Sequence, residues 1–469
     1  MPDPLAKNAE LRLEITGQSN LGYGVGRAPD GRAVFVTGAV AGDAVRAKII
    51  KVSRDYAVAR LLQVEAPSPC REDGFCSAPA ACGGCVYRYI TYARELELKR
   101  DYVAHAFAKA GLRDAVIEPV QTTGETKHYR NKAEYPITGG KNGLYGGFYA
   151  PKTHRVVAAD ACALQPPVFG EILRATCDFF TARGVTGYVE ERVKGLMRHL
   201  YLREGRGTGE IMVVPVINGK TLPDEDAYAQ MLAERFPVVR SILINENTAR
   251  TNVVLGRRFR TLRGTPYLTD TLCGLSFRVA PDAFYQVNHD AAELLYRLAA
   301  ERTGLDGDGL LLDLYCGAGT IGLSMAKRAK RVIGVEIVPA AVECAKENMR
   351  RNGIENAAFY CGDAADVERL LAAAEAAQGA LAPDAVVLDP PRKGCDAALL
   401  DFLAARGVPR IVYVSCGPDS LARDAARLVS LGYELGPVTP VDLFPRTGHV
   451  ECVVALTRKD KQTDEDGET

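Results

Sequence analysis

Apolar and polar positions alternate at short spacing through residues 9–65. Leu11, Leu13 and Ile15 form one such run, and a glycine-rich turn at residues 22–26 separates it from the next. A period of two is typical of strands that bury one face, and several short strands divided by turns favour a small closed barrel. The pattern therefore predicts a β-barrel domain over residues 1–66.

The predicted barrel also contains basic and aromatic side chains. Tyr23, Phe35 and Tyr56 are interspersed with seven Lys and Arg residues. On an outer surface, this combination would bind the backbone of a nucleic acid and stack on its bases. The alternative is that the rings fill the core of an ordinary barrel.

The pattern changes after the Pro-Ser-Pro segment at residues 67–69. Residues 91–110 contain no glycine or proline and predict an amphipathic helix that Gly111 ends. Residues 128–270 combine glycine-punctuated strands with one helical stretch near 168–183. The middle of the chain is therefore predicted to be an α+β domain over residues 67–270.

From about residue 271, short apolar runs alternate with helical stretches. The predicted strands are 310–314, 331–335, 357–360, 385–388 and 411–414. This alternation is typical of an α/β domain with a parallel, doubly wound sheet, whose ligands bind at the carboxyl ends of the strands. We expect such a domain over residues 271–457, followed by a disordered polar tail at 458–469.

Composition and charge exclude several classes of protein. Of the 469 residues, 47% are hydrophobic and 25% charged, as in a globular protein. No apolar run approaches the roughly 18–20 residues that span a bilayer, and the N-terminus does not resemble a signal peptide.

The net charge is zero, but residues 1–270 contain 37 basic and 29 acidic side chains, which suggests a surface for a polyanion. Thirteen cysteines without an export signal argue against a disulfide framework, so a cytoplasmic location is expected.

A glycine loop follows the first predicted strand of the α/β domain. Gly317-x-Gly319-x-x-Gly322 opens the next helix, where glycines and the helix N-terminus let a ligand approach the backbone. Glu336 ends the next strand, nineteen residues after Gly317, and its carboxylate can accept both hydroxyls of a ribose. A dinucleotide and S-adenosylmethionine both fit this pattern.

Two further features favour S-adenosylmethionine. Asp363 follows the third predicted strand, where it can accept from an adenine amino group, and the fourth strand ends in Asp389-Pro-Pro-Arg392. Such a loop at the carboxyl ends of the strands suits methyl transfer. Methyltransferases that act on amino groups have an aromatic residue after the two prolines, so Arg392 disfavours N-methylation.

Cys416 follows the fifth predicted strand and precedes a helix, whose N-terminus is expected to lower the pKa of the thiol. Methyl transfer to nitrogen or oxygen needs no cysteine. Carbon 5 of uracil is a poor nucleophile until a thiolate adds at carbon 6, and its proton must then be removed by a base. Glu451 is the candidate base, since on an extended segment it shares one face with Thr447 and His449. The alternatives are a cysteine that only packs the strand end and an exposed edge carboxylate.

Four segments together resemble the bacterial RNA (uracil-5-)-methyltransferases. They are Phe-Tyr-Gln-Val-Asn at 284–288, Asp-Pro-Pro-Arg-Lys-Gly at 389–394, Val-Ser-Cys-Gly-Pro at 414–418 and His-Val-Glu at 449–451. The resemblance extends from about residue 9 to 457 and is closest to the 23S ribosomal RNA members with a TRAM domain. It implies a Rossmann-like class I methyltransferase domain, an OB-like TRAM barrel that binds RNA, and a central iron–sulfur domain. It also implies that helix 91–110 packs on the methyltransferase domain.

The resemblance further implies a role for individual residues. Cys416 corresponds to the nucleophile and Glu451 to the base. The positions that contact S-adenosylmethionine correspond to Gln286, Tyr315, Glu336 and Asp389, beside the glycine loop at Gly317 and the acid at Asp363 that the pattern itself indicates.

Cysteines are crowded after the barrel. Cys76, Cys82 and Cys85 have the spacing of metal ligands, and Cys162 lies farther along the chain. Four thiolates suit structural zinc or an iron–sulfur cluster, and spacing alone does not separate the two. The resemblance implies a [4Fe-4S] cluster bound by these four cysteines, with Cys70 as a nearby cysteine that could substitute for a ligand.

The expected activity is S-adenosylmethionine-dependent methylation of carbon 5 of a uridine, with 23S ribosomal RNA as the expected substrate and transfer RNA as the alternative. A non-catalytic RNA chaperone has no need of Cys416, Glu451 and Asp389 together, and a dehydrogenase leaves them unexplained. We expect a monomer that binds RNA and has no membrane or obligate protein partner.

Overall fold

The computed structural model of the chain describes residues 5–364, 368 and 382–459. The first element is a closed barrel of five strands, in the order β1-β2-β3-β5-β4. The strands are β1 (Glu10–Gln18), β2 (Tyr23–Arg27), β3 (Ala33–Thr37), β4 (Ala44–Val52) and β5 (Tyr56–Ala66). Alternate residues such as Val34 and Val36 are fully buried, and their neighbours face outward. The period-two pattern therefore correctly predicted the barrel.

Helix α1 (Tyr92–Lys109) lies within the predicted helix. It ends where the backbone N–H of Gly111, which has a φ of 89°, donates to the carbonyl of Ala108 at 3.1 Å. Its buried Val103 and Phe107 belong to the same hydrophobic core as Leu312 and Tyr413 of the last sheet. The helix is thus packed against strands more than 200 residues away in the sequence.

The middle of the chain forms a seven-stranded sheet in the order β12-β11-β10-β9-β6-β7-β8. The elements are β6 (Lys132–Gly140), β7 (Gly143–Tyr149), β8 (Val156–Ala158), α2 (Pro167–Thr181), β9 (Met197–Gly205), β10 (Glu210–Ile217), α3 (Glu225–Arg235), β11 (Val239–Glu246) and β12 (Arg258–Gly264). Both helices pack on one face of the sheet. The pattern predicted α2 alone, because α3 is short and begins among three acidic residues that resemble a polar turn.

The hairpin β13 (Leu268–Leu272) and β14 (Leu275–Val279) and helix α4 (His289–Thr303) follow. They pack on the other face of the seven-stranded sheet, in one core with Tyr201 and Met212. The loop that contains Gln286 therefore lies between the central sheet and the last sheet. The side-chain amide of Asn131 donates to the carbonyl of Gln286 at 3.0 Å across this junction.

The last sheet has the order β17-β16-β15-β18-β19-β22-β20, with β21 also paired to β22. Its elements are β15 (Leu310–Leu314), α5 (Thr320–Ser324), β16 (Arg331–Glu336), α6 (Pro339–Arg351), β17 (Ala357–Cys361), β18 (Ala385–Leu388), α7 (Ala397–Ala405), β19 (Arg410–Ser415), α8 (Pro418–Ser430), β20 (Tyr433–Leu435), β21 (Thr439–Val441) and β22 (Glu451–Arg458). Strands β15 to β19 are parallel, and all five match predicted strands. The strand order reverses between β15 and β18, where ligands of such sheets bind.

The predicted tail begins too early, since Lys459 also donates through its backbone N–H to the carbonyl of Gly432 at 3.0 Å. Arg458 is the last residue of β22, where its backbone pairs with Tyr433 and its guanidinium donates to the carbonyl of Ala404 at 2.7 Å. Residues 460–469 of that prediction lie outside the described residues. Among the helices that the structure describes, none is long and apolar enough to cross a bilayer.

Candidate active site

The loop between β15 and α5 has an unusual backbone. Tyr315, Gly317 and Gly319 have φ angles of 65°, 55° and 79°, a region that favours glycine. A Cβ on Gly319 would lie 3.0 Å from the ring of Phe359, whereas a Cβ on Gly317 would meet nothing within 4 Å. The second glycine lets the loop pack closely on the sheet, and the first leaves space for a ligand beside the backbone.

The two acids expected beside this loop lie at the same sheet edge. One carboxylate oxygen of Glu336 accepts from the backbone N–H of Gly317 at 3.0 Å, and the other accepts from Val338 at 2.9 Å. Glu336 is paired with Cys361 in the next strand, so Asp363 follows two residues beyond that pair. These positions fit a ligand that has a ribose and an adenine, as S-adenosylmethionine does.

Three further cofactor residues were expected, of which Tyr315 and Asp389 directly follow strands of this sheet. Gln286 is buried in the loop before α4, and Asp389 directly follows β18. Burial raises the pKa of Asp389 to about 7, so its carboxyl group is held partly protonated near neutral pH. Burial also raises the pKa of Tyr315, which keeps its phenol protonated. Five of the predicted cofactor residues therefore lie at the carboxyl ends of the strands, namely Tyr315, Gly317, Glu336, Asp363 and Asp389, whereas Gln286 lies in the loop before α4.

Asp313 is a further acid at this loop that the sequence patterns did not single out. It is fully buried in β15, and burial raises its pKa to about 8. One carboxylate oxygen accepts from the backbone N–H of Gly322 at 2.8 Å, and the other has no hydrogen-bond partner. The available signal was an acid in an otherwise apolar strand, four residues before Gly317.

Cys416 lies between β19 and α8, at the same edge. Its neighbour Ser415 is paired with Cys452, which places Glu451 beside Cys416 across the two strands. Burial raises the pKa of the Cys416 thiol, the carboxyl groups of Glu451 and Asp389 raise it further, and Arg392 lowers it. This net direction is opposite to the one expected from the helix N-terminus alone, because burial and two acids outweigh one cation.

Glu451 is buried rather than exposed, with only 5% of its surface accessible. Burial, together with the charge of Asp389, raises its pKa to about 8, although Arg392 acts in the opposite direction. A carboxyl group with a pKa close to neutral pH can both accept and release a proton, as a general base must. The alternative of a solvated carboxylate on an edge strand is therefore excluded.

Arg392 is the cation that these groups share. Its positive charge lowers the pKa of the Cys416 thiol, and its guanidinium lies 3.5 Å from Nδ1 of His449. Burial and then the charge of Arg392 lower the pKa of His449, so the imidazole is neutral near pH 7 and Nδ1 can accept. The sequence patterns used Arg392 only to disfavour N-methylation and missed this contact.

The segment before β22 is not extended, contrary to the prediction. Thr447 donates through its backbone N–H to the carbonyl of Phe444 at 3.1 Å, and Arg446 has a φ of 71°, so the chain turns here. Lys99 of α1 holds the turn, since its ammonium lies 2.7 Å from a carboxylate oxygen of Asp442 and 3.1 Å from the carbonyl of Phe444. The buried ammonium, which a local pattern cannot reveal, is the physical reason for the difference.

Four cysteines surround one cavity of about 360 Å³, namely Cys76, Cys82, Cys85 and Cys162. Burial raises the pKa of Cys85, and the charges of the other three thiols raise it further. The lining of this cavity also includes Arg392, Thr447 and His449, so the cavity extends to Arg392, which acts on the candidate catalytic groups. In the part of the chain that the structure describes, no group of His, Cys, Asp or Glu is arranged to hold a single metal ion.

Cys70 lies apart from these four. It packs against Val40, Tyr87 and Ile90, and its backbone carbonyl accepts from the N–H of Thr91 at 2.9 Å. It does not line the cavity.

Comparisons with known proteins agree with this architecture. The family profile described as tRNA (Uracil-5-)-methyltransferase matches residues 91–459, and that of the TRAM domain matches residues 4–62. An "Uncharacterized RNA methyltransferase" of Halalkalibacterium halodurans is 39% identical over 457 residues, which cover 97% of this chain and 98% of that protein. Another from Clostridium tetani is 38% identical over 454 residues and covers 97% of both chains.

A solved structure extends the similarity to the whole fold. The tRNA (uracil-54, C5)-methyltransferase of Pyrococcus abyssi, in complex with S-adenosyl-L-homocysteine, matches with a TM-score of 0.75 and 26% identity. The match covers 95% of this chain and 100% of that one. Fold, site and matches define an S-adenosylmethionine-dependent RNA methyltransferase with an N-terminal TRAM domain. The chain belongs to the tRNA (uracil-5-)-methyltransferase family, which confirms the family expected from its motifs.

Proposed function

We propose that the chain methylates carbon 5 of a uridine in 23S ribosomal RNA through a covalent adduct between Cys416 and carbon 6. The observation that carries this proposal is that four groups lie close together beside the glycine loop, namely Cys416, Glu451, Asp389 and Arg392. A methyltransferase that acts on nitrogen or oxygen has no need of a thiol paired with a buried base. The uracil reaction needs both.

The first step is addition of the Cys416 sulfur to carbon 6 of the uracil. The thiol is half-buried, so its proton can leave to solvent, and the guanidinium of Arg392 stabilises the thiolate that remains. Addition places an electron pair on carbon 5 as an enolate. S-Adenosylmethionine, when bound, supplies an electrophilic methyl group, and the residues that would hold it are Gln286, Tyr315, Gly317, Glu336, Asp363 and Asp389.

After methylation, carbon 5 carries both the methyl group and its original proton. Glu451 accepts this proton, the electron pair reforms the ring double bond, and the Cys416 thiolate leaves. The raised pKa of Glu451, about 8, makes its carboxylate a stronger base than an ordinary glutamate. Arg392 faces both groups, so it can stabilise whichever of them is negative.

We also propose that Cys76, Cys82, Cys85 and Cys162 hold a [4Fe-4S] cluster. A single zinc ion requires four sulfurs at about 2.3 Å from one point. The described residues contain no such arrangement, yet the four thiols face a common cavity of about 360 Å³. A four-iron cluster separates its four thiolates more widely than one ion does, and this donor set suits it.

Transfer RNA is the second candidate substrate, because the Pyrococcus abyssi structure that matches almost the whole chain is named for a transfer RNA uracil. Purified protein should release tritium from RNA that contains 5-tritiated uridine only when S-adenosylmethionine is added. Mapping of 5-methyluridine in ribosomal and transfer RNA from a deletion strain then identifies the substrate. Loss of the modification from transfer RNA alone would replace the ribosomal assignment, and no tritium release from either RNA would overturn uracil methylation.

A further inference from the structure

The loop that contains Asp389 and Arg392 has no regular secondary structure of its own. It leads from β18 to α7 and turns sharply at Gly394, which has a φ of 81°. We call residues 389–395 the Asp-Pro-Pro loop. Because the charges of Asp389 and Arg392 both act on the thiol of Cys416, the reactivity of this thiol depends on where the loop lies.

One buried carboxylate reaches the end of this loop. Asp424 of α8 is 2% exposed. One of its oxygens accepts from the backbone N–H of Cys395 at 2.9 Å and from the phenol of Tyr413 in β19 at 2.7 Å. The other accepts from the guanidinium of Arg423 at 2.8 Å and 2.6 Å. Hydrogen bonds to a charged acceptor are about twice as strong as neutral ones, so this carboxylate ties the loop firmly to both the strand and the helix.

Arg423 and Asp424 also lie against the two residues before Cys395. The guanidinium of Arg423 donates to the carbonyl of Lys393 at 2.9 Å. A Cβ on Gly394 would lie 2.5 Å from the guanidinium of Arg423 and 2.5 Å from a carboxylate oxygen of Asp424, so the loop backbone packs directly on the helix. Three consecutive loop residues are thus held by Arg423 and Asp424, which we call the α8 pair.

Helix α8 also begins next to the nucleophile proposed above. Gly417, the N-cap residue of α8, directly follows Cys416. A Cβ on Gly417 would lie 3.2 Å from the carbonyl oxygen of Arg392, so the start of the helix contacts the Asp-Pro-Pro loop as well. The α8 pair lies about two turns further along the same helix. One helix therefore sets the position of Cys416 and, through the α8 pair, the position of the loop beside it.

We propose that Asp424 is a positioning residue for methyl transfer, which holds the Asp-Pro-Pro loop in place beside Cys416. Arg423 assists it from the same helix. The proposal rests on the proposed function, since it takes Cys416 as the nucleophile. The hydrogen bonds of Asp424 go to the loop backbone, to β19 and to its own helix, so Asp424 acts on the reaction through the loop. Displacement of a reacting group by about 1 Å can cost about 10²-fold in rate.

The rate of methyl transfer by the full chain is the first test, measured as tritium release from total RNA of a deletion strain labelled with 5-tritiated uridine. Asp424→Leu removes both acceptor oxygens, and we expect the rate to fall about 10²-fold because the loop is released. Asp424→Asn keeps one oxygen for Cys395 and Tyr413, so it should recover most of that rate. Asp401→Asn is the matched control, since it removes a partly exposed carboxylate of α7 that pairs with Arg427 of α8. A wild-type rate in Asp424→Leu would overturn the proposal.

The reactivity of the thiol tests the position of the loop without RNA or cofactor. Against burial and two acids, Arg392 lowers the pKa of Cys416, so Arg392→Met should slow alkylation of this thiol by iodoacetamide at pH 7. If the α8 pair positions Arg392, this slowing should disappear in an Asp424→Leu chain, because the two substitutions then act on one contact. A residue that contributed only to stability would leave the slowing unchanged.

Arg423→Met and Arg427→Met form a matched pair for the same measurement, which stays informative even if Asp424→Leu fails to fold. Both arginines are exposed on α8, so neither substitution disturbs the core. Arg423 donates to the loop, whereas Arg427 donates to Asp401 of α7 at 2.8 Å. Arg392→Met should therefore slow alkylation fully in the Arg427→Met chain and less in the Arg423→Met chain. Equal slowing in these two chains would overturn the proposal.

The two measurements separate this proposal from the proposed function. Absence of tritium release from the wild-type chain would overturn uracil methylation, while the alkylation rates would still report where the loop lies. Normal tritium release from the wild type, with equal slowing in the Arg423→Met and Arg427→Met chains, would overturn the role of the α8 pair alone.

Discussion

Cys416 and Glu451 act at different stages of the proposed reaction, so their variants should fail differently. Cys416→Ala should abolish both methylation and any covalent complex, because nothing adds at carbon 6. Glu451→Gln should accept the methyl group and then stall, because the carbon-5 proton has no base. Loss of a positioned base costs about 10²–10⁴-fold in rate. The measurement is a denaturing gel, on which the stalled adduct appears as a slow band that contains label from the methyl-labelled cofactor.

The two variants control for each other in this experiment. Wild-type turnover by Glu451→Gln would show that Glu451 is not the base. Full activity of Cys416→Ala would show that the carbon-5 mechanism is wrong.

The proposed role of Arg392 is to stabilise the thiolate of Cys416. This role follows from the structure, and no sequence pattern indicated it. Arg392 lowers the pKa of Cys416, against the effects of burial, Glu451 and Asp389. Arg392→Met should therefore slow alkylation of Cys416 by iodoacetamide at pH 7, because a higher pKa of the thiol leaves a smaller thiolate fraction. Peptide mapping by mass spectrometry measures the rate at this one cysteine.

Lys393→Met is the matched control for Arg392, because it removes an exposed cation from the same loop that is not among the main causes of the shift in the pKa of Cys416. Equal alkylation rates for the two variants would contradict the assigned role of Arg392.

At the scale of elements, the four candidate cluster ligands come from two distant parts of the chain. Cys76, Cys82 and Cys85 lie close together in the sequence, and Cys162 lies after β8. The N–H of Gly83, between two of these cysteines, donates to the carbonyl of Tyr149 in β7 at 3.3 Å. Arg88 holds the same segment through the carbonyls of Cys76 and Ala78 at 3.0 and 2.9 Å. Hydrogen bonds within the protein thus hold residues 76–88 at the wall of the cavity.

Cys82→Ser should lose the cluster, whereas Cys70→Ser should keep it, because Cys82 lines the cavity and Cys70 packs elsewhere. The measurement is iron and sulfide content, with the visible absorption of anaerobically purified protein, where the wild type should contain about four irons per chain. Loss of iron in Cys70→Ser would show that the first ligand is wrongly assigned. Zinc without iron or sulfide in the wild type would refute the cluster itself.

Helix α1 connects the first half of the chain to the candidate active site. Its Lys99 contacts Glu95 and Asp442 at 2.7 Å each, and both acids are fully buried. Tyr92 also donates to Asp442 at 2.9 Å. The turn that leads to His449 and Glu451 is therefore held by a helix more than 300 residues earlier in the sequence.

At the scale of the whole molecule, buried acids link stability to pH. Burial raises the pKa of Glu95 and Asp389 to about 7 and that of Asp313 and Glu451 to about 8. Between about pH 4 and pH 8 these four carboxyl groups therefore hold more protons in the folded chain than in the unfolded chain, so their contribution to the free energy of unfolding falls as pH rises. The contribution is about 1.4 kcal/mol per pH unit for each group that differs by a full proton.

Urea unfolding at pH 5.0, 6.5 and 8.0 measures this dependence. Asp313→Asn removes one of the titrating groups, so the variant should lose less stability than the wild type between pH 5 and pH 8. Identical pH dependence in the two proteins would show that Asp313 is ionised in the folded state.

Local patterns were sufficient for the main architecture. The period-two alternation predicted the barrel, the absence of glycine and proline predicted α1, and the five parallel strands were located within one residue at either end. The positions of Glu336, Asp389 and Cys416 followed as well, because parallel strands bring their carboxyl ends to one edge whatever their order in the chain.

Contacts between residues that are distant in the sequence decided the features that local patterns did not predict. Whether Tyr23, Phe35 and Tyr56 face inward or outward depends on the register of the closed barrel, and the turn before Glu451 depends on Lys99. The pKa of Cys416 has the opposite direction to the one expected from its own helix, since Asp389, Arg392 and Glu451 act on it through space. Burial and charge at a site are sums over all neighbours, and neighbours are known only once the chain has folded.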